Sequence, residues 1–154
     1  KIYRIRTHLV PYGKIWKTGK GLREFKSIVK KKLLESPVDI IHCHDQDTCS
    51  VGLWWKNNGR GKFVFDAHDL YWTWILLPNP NSIIRKLGAM ILKRRDRRYA
   101  KSADLLIVAT GKIGEKSGYQ EIYDNWRKNS VVIFNAENDY SNSWSYPEKF
   151  TIAS

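Results

Sequence analysis

Acidic residues are scarce in this chain. Lys and Arg number 27 against 15 Asp and Glu, a formal net charge of +12 over 154 residues. Such an excess attracts something anionic: a nucleic acid, an anionic membrane surface or a phosphorylated ligand. Charge alone does not choose among them. The cations cluster at Lys30, Lys31 and Lys32 and again at Lys93, Arg94, Arg95, Arg97 and Arg98. Read as solvated helix faces, these runs need no partner at all. Cysteine is nearly absent. Cys43 and Cys49 lack any paired-motif spacing, which argues against a disulfide scaffold or a structural zinc site and fits a reducing, cytoplasmic compartment. No apolar run approaches the ~20 residues of a membrane span, and no signal-peptide pattern is visible. There is no Gly-x-Ser-x-Gly elbow for a serine nucleophile. There is no Gly-x-Gly-x-x-Gly either: Gly19-Lys20-Gly21 lacks the third glycine and the preceding strand, so a nicotinamide site is a poor reading. Repeats and low-complexity tracts are missing too.

What remains is an alternation of elements suited in length to one domain with one core. Residues 1–9 read as a basic strand, followed by a turn at Pro11, Tyr12 and Gly13. The chain opens on this strand at Lys1, so the expectation is a piece of a longer protein. Residues 19–34 read as an amphipathic helix, with Leu22, Phe25, Ile28, Val29 and Leu33 at helical spacing and Ser36-Pro37 as its stop. A short apolar strand is predicted over 38–43, a helix over 47–56 ended by Asn57-Asn58-Gly59, and a strand over 62–65. Residues 71–77 read as an aromatic loop closed by Pro78-Asn79-Pro80. A long helix over 82–101 is apolar in its first half and almost wholly Arg and Lys in its second. A buried strand over 103–109, a helix over 114–128 and a last strand over 131–134 follow. Residues 138–145 read as loop, and 150–153 as the start of another strand. Strands that are continuous apolar runs and alternate with helices predict an α/β fold, a mainly parallel sheet flanked by helices and covered on both faces.

Two of these strands end abruptly in His and Asp. The first run is Asp39-Ile-Ile-His-Cys-His-Asp45 and the second is Phe63-Val-Phe-Asp-Ala-His-Asp69. In an open parallel sheet, ligands bind where the carboxyl ends of the strands meet the following loops. Both clusters should therefore face one crevice, with Thr110-Gly111 and Asn135 arriving at the same edge from the last two strands. His42 and His44, two apart, share a side of the strand. The candidate site residues are His44, Asp45, Asp47, Asp66, His68 and Asp69. Each has an ordinary alternative. Asp45 and Asp69 suit helix caps or turns, and Asp66 can bond backbone amides. His42, His44, Asp66 and His68 could also hold a divalent ion as a metal-dependent hydrolase would, although spacing fixes no full ligand set and no metal is assigned.

The order and spacing of Val38-Asp-Ile-Ile-His-Cys-His-Asp45, Gly52 and Lys62-Phe-Val-Phe-Asp-Ala-His-Asp-Leu70 resemble the amino-terminal domain of family 4-like glycosyltransferases. Arg97-Arg-Tyr-Ala-Lys-Ser-Ala-Asp-Leu-Leu-Ile-Val108 and Val131-Val-Ile-Phe-Asn135 continue the resemblance, which runs from about Leu22 to Asn135. It implies one half of a GT-B fold: a Rossmann-like domain over 1–145 whose first strand is missing, then residues 146–154 as a linker or the start of a donor-binding domain. It implies acceptor binding by this half and a carboxyl-terminal donor domain as partner. The full-length enzyme would transfer a hexose from a nucleotide-sugar donor to a glycan or lipid-linked acceptor, with retention. His68 would reach the donor sugar, and the loop from His44 to Asp47 would lie near the acceptor. No Glu-x7-Glu motif and no donor-side Arg/Lys pair are present, so this domain needs no cofactor and alone would be inactive.

Trp72 and Trp74 follow His68-Asp69 directly. Their indoles suit sugar stacking or the interfacial region of a bilayer. The helix over 82–101 suits an anionic membrane surface in the same way, at the inner face of a membrane, or else packs its apolar half into the domain. A basic nucleic-acid-binding domain is the competing reading, but no recognised motif supports it and no nucleic acid is expected to bind here.

Overall fold

A computed structural model of the chain describes residues 4–7, 15–110, 118–127 and 130–133. Its elements are α1 (Ile15–Glu35), β1 (Ile40–His44), α2 (Asp45–Asn57), β2 (Lys62–Ala67), α3 (Tyr71–Trp74), α4 (Ile83–Ser102), β3 (Leu105–Val108), α5 (Tyr119–Asp124) and β4 (Val131–Val132). The four strands form one all-parallel sheet in the order β1-β2-β3-β4, flanked by helices. The fold is α/β and consistent with a Rossmann-like domain.

Alternation within the strands decides what they face. Cys43, Phe63, Phe65, Ala67, Leu106 and Val108 are buried on one face of the sheet. The Phe65 ring meets Tyr99 of α4 and Tyr123 of α5 edge-on, with centroids 6.5 and 6.0 Å apart. Helix α2 crosses the same face so closely that a Cβ on Gly52 would lie within 2.8 Å of Cys43 Sγ and nearer still to the Phe63 ring. Trp55, fully buried, donates its Nε1–H to Val38 O at 3.0 Å. Gly59, at φ 65°, takes the left-handed turn that ends α2.

The opposite face is not covered among the described residues. Ile40, Leu105, Val131 and Ile133 stand on it exposed, which corrects the expectation of helices on both faces. The cause is the strand order. Each strand adds beside its predecessor in one direction, and crossovers of one hand then place every connecting helix on one side.

Asp104, at the mouth of β3, ties three elements together. Its Oδ2 accepts the Phe63 amide at 2.9 Å, and its Oδ1 accepts Lys56 Nζ at 3.0 Å. Arg127 closes the corner by donating to Ala100 O, Ala103 O and Asp104 O.

Several boundaries differ from the sequence reading. Residues 4–7 carry no regular structure, and the rest of the strand expected over 1–9 lies outside the described residues, as do Pro11 to Gly13. The loop expected over 71–77 begins as helix α3, whose Thr73 hydroxyl donates to Leu70 O at 2.7 Å. Gly111, Asn135, most of the helix expected before 119, and everything from 134 onward, including 146–154, also lie outside the described residues.

Candidate functional site

The parallel register aligns the carboxyl ends of β1 and β2. His42 stands beside Val64, and His44 beside Asp66. Strand alternation places His42, His44 and Asp66 on the uncovered side of the sheet, and His68 continues the series just past β2. The outcome is a buried carboxylate among three imidazoles. His42 Nε2 is 3.0 Å from Asp66 Oδ2, His44 Nδ1 is 3.3 Å from the same oxygen, and His68 Nε2 is 3.0 Å from Oδ1. The His44 and His68 rings lie against each other, with centroids 4.1 Å apart and planes tilted by 30°.

Asp66 is the centre of this group. It is 8 % exposed, whereas the His42 and His44 side chains are mostly in solvent. Its Oδ1 receives no aligned hydrogen bond, and His68 Nε2 lies 3.0 Å from it. A carboxylate oxygen accepts, so an imidazole nitrogen that hydrogen-bonds Asp66 is the one that bears the proton.

Asp45 locks the two strand ends together. Its Oδ1 accepts the His68 amide at 3.1 Å, and its Oδ2 is 3.8 Å from His44 Nε2. It does so with φ at 59°, the single positive φ outside glycine among the described residues. Aspartate tolerates that conformation better than most residues, and such strain concentrates at functional sites. Asp45 thus combines the turn-forming role expected of it with a direct contact to the site.

The remaining candidates are placed differently. Asp47 is on the first turn of α2, with Lys26 as its charge partner and Tyr71 as its hydrogen-bonding neighbour. Asp69 is half-buried and faces Tyr71 and Tyr119. The Tyr71 hydroxyl is pushed up to about 12, first by burial and then by the carboxylates of Asp47, Asp45 and Asp69. These acids line the edge beside the imidazole group without joining it. Trp72 is half-buried. It packs against the core with Lys93 Nζ 4.5 Å above its ring, and its Nε1 is buried without a partner. Trp74 is exposed on α3. Thr110 serves the fold and not the imidazole group. Its hydroxyl and carbonyl oxygens accept the amides of Tyr119 and Gln120 at the start of α5.

Sequence reading undervalued Asp66, which looked like one acid among several. The signal was its position two residues before a strand-end His, opposite a strand carrying His-x-His. Tyr71 and Tyr119 were also missed, since an aromatic beside a strand end is usually core.

Chemically, the group offers polarised imidazole N–H donors and an anionic oxygen, on the edge where an open parallel sheet binds ligands. His44, Asp66 and His68 also offer ligand atoms within 4.8 Å of one another, close enough to converge on one cation. A separate crevice of about 430 Å³ lies between α2 and α4, lined by Trp54, Asn57, Arg98 and Tyr99 among others, and contains none of these groups. No model of a known protein family matches the chain, and no curated protein matches it.

Proposed function

We propose that this domain is the acceptor-side half of a cytoplasmic glycosyltransferase with two facing Rossmann-like domains. The observation that carries the reading is the Asp66-centred histidine group on the carboxyl edge of β1 and β2. The resemblance of those two strand ends to family 4-like enzymes gives it its direction. In this reading His68 hydrogen-bonds the sugar of a nucleotide-sugar donor held by a carboxyl-terminal donor domain. Asp66 is a positioning residue that turns the imidazole, and Asp45 holds the His68 backbone in place. His44 and Asp45 face the acceptor, a glycan or a lipid-linked glycan. Transfer retains the anomeric configuration, as the resemblance implies. The chain by itself supplies half of the differential binding of the transition state, so it does not turn over alone.

The test is a panel of nucleotide-sugar donors offered to the chain with and without the donor domain encoded beside it. Nucleotide release that needs both halves supports the reading. A gene encoding no second Rossmann-like domain removes its main support. One observation favours a second reading, a metal-dependent hydrolase: the convergence of His44, Asp66 and His68. Stoichiometric zinc retained through dialysis and lost in Asp66→Asn would favour it over the first.

A further inference from the structure

Helix α4 turns its apolar side outward. Its inward positions, Ala89, Asp96 and Ala100, recur at helical spacing. Arg85 is tied back to Ile75 O at 2.9 Å and fixes the helix against the turn after α3. The other side of the first half should be polar and is not. Ile83 and Ile84 are 75 and 82 % exposed, and Leu87, Met90 and Ile91 continue the stripe, all exposed. Leu77, 74 % exposed, and Trp74 add to it from the segment packed beside α4. The second half of the helix continues outward with Arg94, Arg97, Arg98 and Lys101, all exposed. Asp96 is the sole acid of the helix, and it is buried. Single exposed aliphatics need no explanation, but a contiguous apolar set marks an interaction surface.

We propose that this face docks on an anionic lipid bilayer. Ile83, Ile84, Leu87 and Trp74 enter the boundary between headgroups and acyl chains, and Arg94, Arg97, Arg98 and Lys101 lie against lipid phosphates. Charge complementarity selects this occupant: the exposed side of α4 carries cations and no acid. An in-plane helix with aliphatic and Arg/Lys-rich surfaces, beside an exposed indole, is the arrangement that interfaces hold. A nucleic acid would use the cations but leave the isoleucines and Leu77 against phosphate and water, whereas such interfaces are polar. A second copy of the chain would cover the aliphatics yet bring a second uncompensated Arg/Lys run to the contact. The surface uses none of the His and Asp residues of the strand-end site, so it stands or falls apart from sugar transfer.

The test is co-sedimentation of the whole chain with phosphatidylcholine vesicles, with and without phosphatidylglycerol. Binding should require the anionic lipid and weaken about fivefold for each cation removed, as in Arg94→Gln and Arg98→Gln. Ile83→Asp with Ile84→Asp should weaken it by about tenfold or more while the melting temperature holds, because both side chains are in solvent in the free protein. Vesicles should shift tryptophan emission to the blue, and Trp74→Phe should remove that shift. Equal binding by the Ile83→Asp, Ile84→Asp variant overturns the proposal. So does equal binding to both vesicle types. Binding to a DNA duplex that those two substitutions leave intact, with no vesicle binding, would assign the cations to nucleic acid. Self-association lost in the variant, again without vesicle binding, would assign the face to a second copy.

Discussion

Asp96 sits inside the most basic run of the chain and yet is 1 % exposed. Its Oδ2 accepts the Tyr123 hydroxyl at 2.8 Å, and its Oδ1 has no aligned donor. The Gln46 amide beside it donates to Leu92 O at 2.8 Å. Burial pushes the carboxyl up from 3.8 to about 6, with the Tyr123 hydroxyl and the Gln46 side chain opposing the rise. The folded-state value lies above the unfolded one, so the native state binds this proton more tightly. Stability from the neutral acid is complete below the unfolded value of 3.8 and lost as pH rises toward about 6. A shift of about two units corresponds to roughly 3 kcal/mol. Asp96→Asn keeps the shape and the acceptor for Tyr123 while removing the charge. In urea denaturation at neutral pH the variant should be more stable by about 3 kcal/mol, and the gain should vanish near the pKa of a free aspartate. A gain that does not vary with pH, or a loss of stability at neutral pH, would refute the reasoning. Either result would mean that the fold compensates the buried carboxylate.

Asp45 and Gly52 make two sharper structural tests. Asp45→Asn keeps both a tolerance for positive φ and an oxygen for the His68 amide, so its stability should match the parent. Asp45→Ala loses both and should cost about 2 kcal/mol in the same urea experiment. Gly52→Ala drives a methyl into the Phe63 ring and Cys43 Sγ, and thermal melting should show a loss of about 1–3 kcal/mol.

The sheet was legible because its strands are short, mostly apolar runs with punctuation on either side. Ile40, Phe63 and Leu105 all fall in strands within the segments read as such. The convergence of His42, His44, Asp66 and His68 on one edge was legible for the same reason: parallel register turns equal strand positions into neighbours. The orientation of α4 was not. An apolar stripe at helical spacing normally points inward, and only the packing of Ala89, Asp96 and Ala100 shows that this one points out. Asp96 itself was hidden by its four Arg neighbours, since local charge says nothing about which side of a helix a residue occupies. The packing of Trp72 was not legible either: a short helical turn places it half-buried in the α3–α4 contact beneath Lys93. The uncovered sheet face follows from strand order, which no local pattern encodes.

The central claim is the proposal that His68 touches the donor sugar, and steady-state transfer by the proposed two-domain enzyme measures it most directly. His68→Ala should lower kcat by roughly a hundredfold, the scale of losing one well-placed hydrogen-bond donor, while the melting temperature holds. Turnover by His68→Ala equal to that of the parent enzyme would remove His68 from the site and contradict the account.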